Sequence, residues 1–167
     1  MTQRTRILLA VAVLIILVAV IIGIDLLQRS RGRPAAEGEP TLAPGSVPVR
    51  VDGRLAGSLV PADLEPLAEV SFVDVEEGKP QDGWLLRDVI RLYVASDQLK
   101  PNSLITVNSS SRSKSASLTW AQVDQPDNYV MFDLSNRGTL KLVSKLPELD
   151  TRDEWVQDVD SIEISSP

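Results

Sequence analysis

The chain has 167 residues, 43% of them hydrophobic and 24% charged, and a net charge of −6 with no cysteine and no histidine. Disulfides, thiolate or imidazole metal sites, cysteine nucleophiles and histidine general bases are therefore excluded from this chain. Charge is divided unevenly: residues 1–33 hold five Arg against Asp25, whereas residues 34–167 hold 12 Lys and Arg against 22 Asp and Glu. Such an acidic balance repels nucleic-acid backbones.

Ile7 to Ile24 is an unbroken apolar run of 18 residues. As a helix it reaches about 27 Å, close to the hydrocarbon thickness of a bilayer. The exit, Ile22-Gly23-Ile24-Asp25-Leu26-Leu27, offers no small-residue cleavage site. Residues 1–28 are thus expected to form an uncleaved signal anchor, a single membrane span from Ile7 to Leu27 with a basic flank. Arg4 and Arg6 nearly balance Arg29, Arg31 and Arg33, so the positive-inside rule leaves orientation open. The signal-anchor architecture places the C-terminal domain outside the cytoplasm, with the chain in the cell membrane. Residues 29–46, with Pro34, Pro40 and Pro44, lack the apolar side chains to pack and read as a linker. Residues 47–167 remain as one domain, long enough to bury about two-thirds of its unfolded surface.

Within that domain Val47–Asp52 alternates and runs into an Asp-Gly turn. Pro61–Leu67 is expected as a short helix, with proline in the first turn where no N–H is needed. Val70–Val75 reads as a strand ending in a hairpin turn at Glu76-Glu77-Gly78-Lys79. Asp82-Gly83 is read as a further turn, opening a helix over residues 84–94 around which the domain is organised. At helical spacing Leu85, Leu86, Val89, Ile90, Leu92 and Tyr93 share one face, with Arg87, Asp88 and Arg91 opposite. Strands are expected at Leu104–Asn108, Ala116–Trp120, Tyr129–Leu134, Thr139–Val143 and Ser161–Ser165, with a hairpin turn at Asn136-Arg137-Gly138.

Gly83-Trp84-Leu85-Leu86-Arg87-Asp88-Val89 resembles the "Gly-Val-Pro-Leu-Arg-Asp-Leu" helix of the oxidoreductase molybdopterin-binding domain, the sulfite-oxidase fold. Val49-Arg50-Val51-Asp52-Gly53 and Ser58-Leu59-Val60-Pro61-Ala62-Asp63-Leu64 resemble that family's opening strand, turn and short helix. Gly138-Thr139-Leu140-Lys141-Leu142-Val143 and the stretch from Trp155-Val156-Gln157 to Ile162-Glu163-Ile164 are similar to its later strands. The resemblance spans roughly residues 48–164 in order. It implies a mixed, β-rich α+β domain with a few short helices. In catalytic members a cysteine in a long loop before the helix holds the pterin-bound molybdenum. Here only Glu76 to Asp82 separate the preceding strand from Gly83, and neither the cysteine nor the pterin-side histidines exist. No molybdenum site of that kind can assemble without soft ligands, so no catalytic residue, metal ligand or cofactor is assigned.

Asp150-Thr151-Arg152-Asp153-Glu154 with Asp158 and Asp160 lacks the spacing of a calcium loop and better suits a capped turn. Asp124, Asp127 and Asp133 have nothing to fix them as an acid–base pair. Trp84, Trp120 and Trp155 are expected at element boundaries, packed in the core with each indole N–H left a partner. The one candidate surface is the tip of the expected 104–120 hairpin. Ser109, Ser110, Ser111, Arg112 and Lys114 there offer hydroxyls and two cations without an acid, suited to a phosphate, an anionic lipid head group or a carboxylate of a protein partner. The expected role is a membrane-anchored, non-catalytic interaction or scaffold module. Two alternatives stand beside it: an accessory subunit of a molybdenum redox enzyme whose metal ligand comes from another chain, and an extracytoplasmic small-ligand sensing module.

Overall fold

Alternating Val47, Val49 and Val51 face inward along β1 (Val47–Val51), and Asp52-Gly53 reverses the chain with φ of 49° and 76°. Positive φ at both turn positions is the hairpin geometry that Asp-Gly favours. The return strand is β2 (Arg54–Leu59), which pairs antiparallel with β1. The computed structural model describes residues 42–134 and 138–167. The expected span at Ile7 to Leu27, the linker as far as Thr41, and Asn136 and Arg137 of the expected turn lie outside the described residues. Among the described residues no helix is long and apolar enough to cross a membrane.

Two sheets and a few short helices make a β-rich α+β domain. The first sheet has the order β2-β1-β9-β5-β6, with β5 (Leu104–Ser109), β6 (Lys114–Thr119) and β9 (Ser161–Ser165). Strand β9 lies between β1, to which it is parallel, and β5, to which it is antiparallel. The second sheet has the order β3-β4-β7-β8, with β3 (Glu69–Val73), β4 (Pro80–Leu85), β7 (Met131–Leu134) and β8 (Leu140–Val143), every pair antiparallel. One core takes Val49, Leu59 and Ile162 from the first sheet, Leu85, Phe132 and Leu142 from the second, and Leu86, Val89 and Ile90 from the helix α1 (Leu86–Arg91).

The organising segment differs from its expectation in one respect. Asp82-Gly83 is not a turn: both residues lie inside β4, and Gly83 pairs with Val70 on one side and Asp133 on the other. A Cβ at Gly83 would come 1.9 Å from the Phe132 carbonyl oxygen, so glycine serves here for close strand approach, not for reversal. The helix consequently starts at Leu86 and is short. Its expected inner face stands, with Leu86, Val89 and Ile90 fully buried, but Leu92 past its end is exposed. Arg87, half-buried, donates to the Asp124 carbonyl at 3.0 Å, and exposed Arg91 pairs with Asp124 at 2.6 Å.

Expected strand 116–120 also ends early. Trp120 opens α2 (Trp120–Asp124), capped by Thr119: the Thr119 hydroxyl accepts from the Gln122 N–H at 3.3 Å, and Gln122 Oε1 accepts from the Thr119 N–H at 2.9 Å. Pro61–Leu64 is a single 3-10 turn. Its Asp63 carboxylate accepts from the Val60 N–H at 2.9 Å and from the Tyr93 hydroxyl at 2.7 Å. That tie holds the end of the α1 segment against β2, where Gly57 leaves room for the Tyr93 ring.

Candidate functional site

Strands β5 and β6 pair in unbroken register from Leu104↔Thr119 to Ser109↔Lys114, so Ser110 to Ser113 form the hairpin tip. Ser113 takes a positive φ of 51° to complete the reversal. Of the candidate residues, Ser110, Ser111 and Arg112 are exposed and Lys114 is half-buried. Ser109 is not displayed at all: it is 1% exposed, with its hydroxyl 3.3 Å from that of Ser111. Its position on the inward side of β5 explains this, since strand side chains alternate.

The tip is not a free loop. Asp160 Oδ2 accepts from the Ser110 N–H at 2.6 Å, and Asp158 Oδ2 accepts from Arg112 Nε at 2.7 Å. The Lys114 ammonium donates to the Asp153 carbonyl oxygen. Asp158 also accepts from the Thr139 hydroxyl at 2.8 Å. Of the carboxylates weighed above as a calcium set, Asp158 and Asp160 are therefore bonded to the chain's own donors. Among the described residues no group of His, Cys, Asp and Glu is placed to hold a metal ion. Asp124 and Asp133 are likewise apart in role, paired with Arg91 and with Lys141.

These bonds bring segment 152–157 beside the tip and enclose a cleft of about 260 Å3 lined by Arg112, Lys114, Arg152, Asp153, Trp155 and Gln157. Arg152 enters from the far wall. Its Nη1 pairs with Glu77 at 2.7 Å and its backbone N–H donates to Glu76 Oε2 at 3.1 Å, which ties the segment to the β3–β4 turn. Three of the domain's cations thus meet at one place in an otherwise acidic protein. Sequence reasoning found Arg112 and Lys114, because they sit in one run. It placed Trp155 in the core and Arg152 in a capped turn but brought neither to the tip, because nothing local in residues 150–157 announces a neighbour some forty residues away.

Trp155 forms the cleft's inner wall and is 3% exposed. The Lys141 ammonium lies 4.7 Å from its ring centroid and the Arg152 guanidinium 5.9 Å from it, distances at which a cation is attracted to an indole face. The indole Nε1–H is buried with no acceptor, contrary to the expectation that each indole would have one. An unmet buried donor costs about 1–3 kcal/mol. Trp120 is buried as expected, while Trp84 sits within β4 and is half-buried.

A polar chain runs behind Trp155. Lys141 Nζ pairs with Asp133 at 2.6 Å and donates to Gln81 Oε1 at 2.9 Å, and Gln81 Nε2 donates to Asp74 Oδ2 at 3.0 Å. The Glu77 N–H donates to Asp74 Oδ1 at 2.6 Å. That backbone bond, with help from Gln81, holds the Asp74 carboxyl below its ordinary value. These bonds brace the wall of the cleft. A second hollow of about 370 Å3 at the hairpin includes Asn108, Ser113, Lys114 and Ser161. Lys114 is the residue the two share. In comparisons with protein-family models and with curated proteins, nothing matches this chain.

Proposed function

We propose that this chain is a membrane-anchored, non-catalytic interaction module of molybdopterin-binding, sulfite-oxidase type, recognising an anionic group of its partner at the β5–β6 tip. The ordered motifs from Val49 to Ile164 and the β-rich α+β architecture support the family reading. The absence of cysteine and histidine from the sequence supports a role in contact and not in redox chemistry. The Ile7–Leu27 run supports the anchor, and the signal-anchor architecture supports a domain outside the cytoplasm.

One observation carries the choice of surface: Arg112, Lys114 and Arg152 converge on a single cleft in a domain whose charge is otherwise strongly negative. Electrostatic complementarity of this kind steers encounter and selects partners more than it adds raw affinity. The test is photo-crosslinking of the full chain in its own membrane, with the reactive amino acid at Ser111 and, as control, at exposed Asp97. A discrete adduct from Ser111, lost on adding Arg112→Glu and Lys114→Glu, is expected. Equal adducts from both positions, or an adduct indifferent to the charge reversals, would refute the assignment.

A further inference from the structure

We infer that the cleft between the hairpin tip and segment 152–157 binds a single phosphate group, liganded by Arg112, Lys114 and Arg152. The inference rests on the tip being the recognition surface and names the chemistry that surface takes. Three cationic side chains from two separated segments match an anion with three terminal oxygens. A carboxylate brings fewer oxygens and a single negative charge to the same three cations.

The present partners of these cations leave room for a ligand. Among the described residues Asp158 pairs with Nε of Arg112 and Glu77 with Nη1 of Arg152, and a guanidinium has further N–H donors for a second acceptor. Both arginines are exposed, with side chains 43% and 44% accessible, and exposed ion pairs yield readily to a competing anion. Lys114 is held by a neutral carbonyl, a weaker acceptor than a dianion.

Size and sign narrow the ligand further. At about 260 Å3 the cleft is below the roughly 300–1,000 Å3 range of drug-sized ligand pockets. It admits a phosphate head with a short part of the group it esterifies. Asp153 lines the same wall, and its carboxylate opposes a second negative group. The cleft therefore takes one phosphomonoester and rejects polyanions. Trp155 lines the wall beneath these cations, so its indole signal reports their movement.

The test uses the full chain with nitrogen-15 at its indoles, in phosphatidylcholine nanodiscs at constant ionic strength, titrated with inorganic phosphate. The Trp155 signal is expected to shift saturably, while those of Trp84 and Trp120 stay and report an intact fold. Combining Arg112→Gln with Arg152→Gln should weaken the apparent affinity at least tenfold, and Arg54→Gln should leave it unchanged. A flat titration, or one unaltered by the double substitution with the Trp84 and Trp120 signals in place, overturns the site. Discs carrying phosphatidic acid separate the sources. A Trp155 signal already at its shifted position without free phosphate identifies a lipid phosphomonoester, and a signal moved only by free phosphate identifies a soluble one. A flat titration beside a normal Ser111 adduct would overturn the phosphate site and spare the recognition surface. Saturable binding without that adduct would do the reverse.

Discussion

Replacing Gly83 by alanine tests the central correction to the sequence reading, the placement of this glycine inside β4. An ideal Cβ would lie 1.9 Å from the Phe132 oxygen and 2.7 Å from its carbonyl carbon, whereas ordinary contact begins at 3.4 Å. About 1.5 Å must therefore be found, and both obstructing atoms are backbone. No rotamer change supplies it. Strands β4 and β7 must separate, loosening the pairings Gly83↔Asp133, Trp84↔Phe132 and Leu85↔Met131 above a fully buried Phe132. Overpacking that side chains can absorb costs about 1–3 kcal/mol, so a clash borne by backbone alone should cost about 3–4 kcal/mol. That is a large part of the roughly 5–15 kcal/mol a domain possesses. Gly53→Ala provides the contrast: nothing lies within 4 Å, and only its φ of 76° opposes a side chain, a penalty of about 1 kcal/mol. Urea unfolding of the full chain, followed by tryptophan fluorescence, should rank the two by at least 2 kcal/mol. A Gly83→Ala variant no less stable than Gly53→Ala would refute the strand placement and restore a turn.

Val89→Asp buries an unpaired carboxylate at a position with 0% exposure and should cost several kcal/mol, while Arg91→Ala removes contacts to Asp88 and Asp124 and a cation–π contact over Trp120 and should cost about 1 kcal/mol; equal losses in the same denaturation assay would show that the buried face is misdrawn. The Tyr93 hydroxyl bond, then the Val60 N–H, hold Asp63 below its ordinary 3.8, as the Glu77 N–H does for Asp74. Depressed carboxylates stabilise above their unfolded pKa, and that stability is lost as pH falls through the folded value. Thermal midpoints should thus fall steeply below about pH 4, and Asp63→Asn with Asp74→Asn should flatten that fall; an unchanged slope would remove these two groups from the account. The full chain should stay in the membrane pellet after alkaline carbonate washing and retain its first 33 residues by mass, and a soluble product beginning near Asp25 would contradict the anchor.

Some of this fold could be read residue by residue. Ser161–Ser165 was legible to its ends because Ile162 and Ile164 alternate against polar neighbours. Leu86, Val89 and Ile90 declared their face because three apolar residues at helical spacing have no other reason to sit between Arg87, Asp88 and Arg91. Strand β2 went unread, since Ala56, Gly57 and Ser58 carry little strand preference and owe their pairing to β1. Helix α2 was signalled, by Thr119 followed three residues later by Gln122, but the alternation running into Trp120 outweighed that cap. Asp82-Gly83 misled because the same dipeptide serves a reversal and a close approach, and only the carbonyl of Phe132 decides between them. At the candidate site, Arg112 and Lys114 were local information. Their partners Asp158 and Asp153, and Arg152 across the cleft, belong to the tertiary fold alone.

Strand β9 stands in the middle of its sheet, bonded to β1 on one side and β5 on the other, yet it is the last strand to be synthesised. The first sheet therefore has no centre until residues 161–165 have been made. Between Val51 and Ser161 lie about 110 residues, or roughly 5–20 s of synthesis at about 5–20 residues per second. During that interval β1–β2 and β5–β6 exist only as separate hairpins, too small to be stable alone. The position of one strand thus sets the moment at which the first sheet can close.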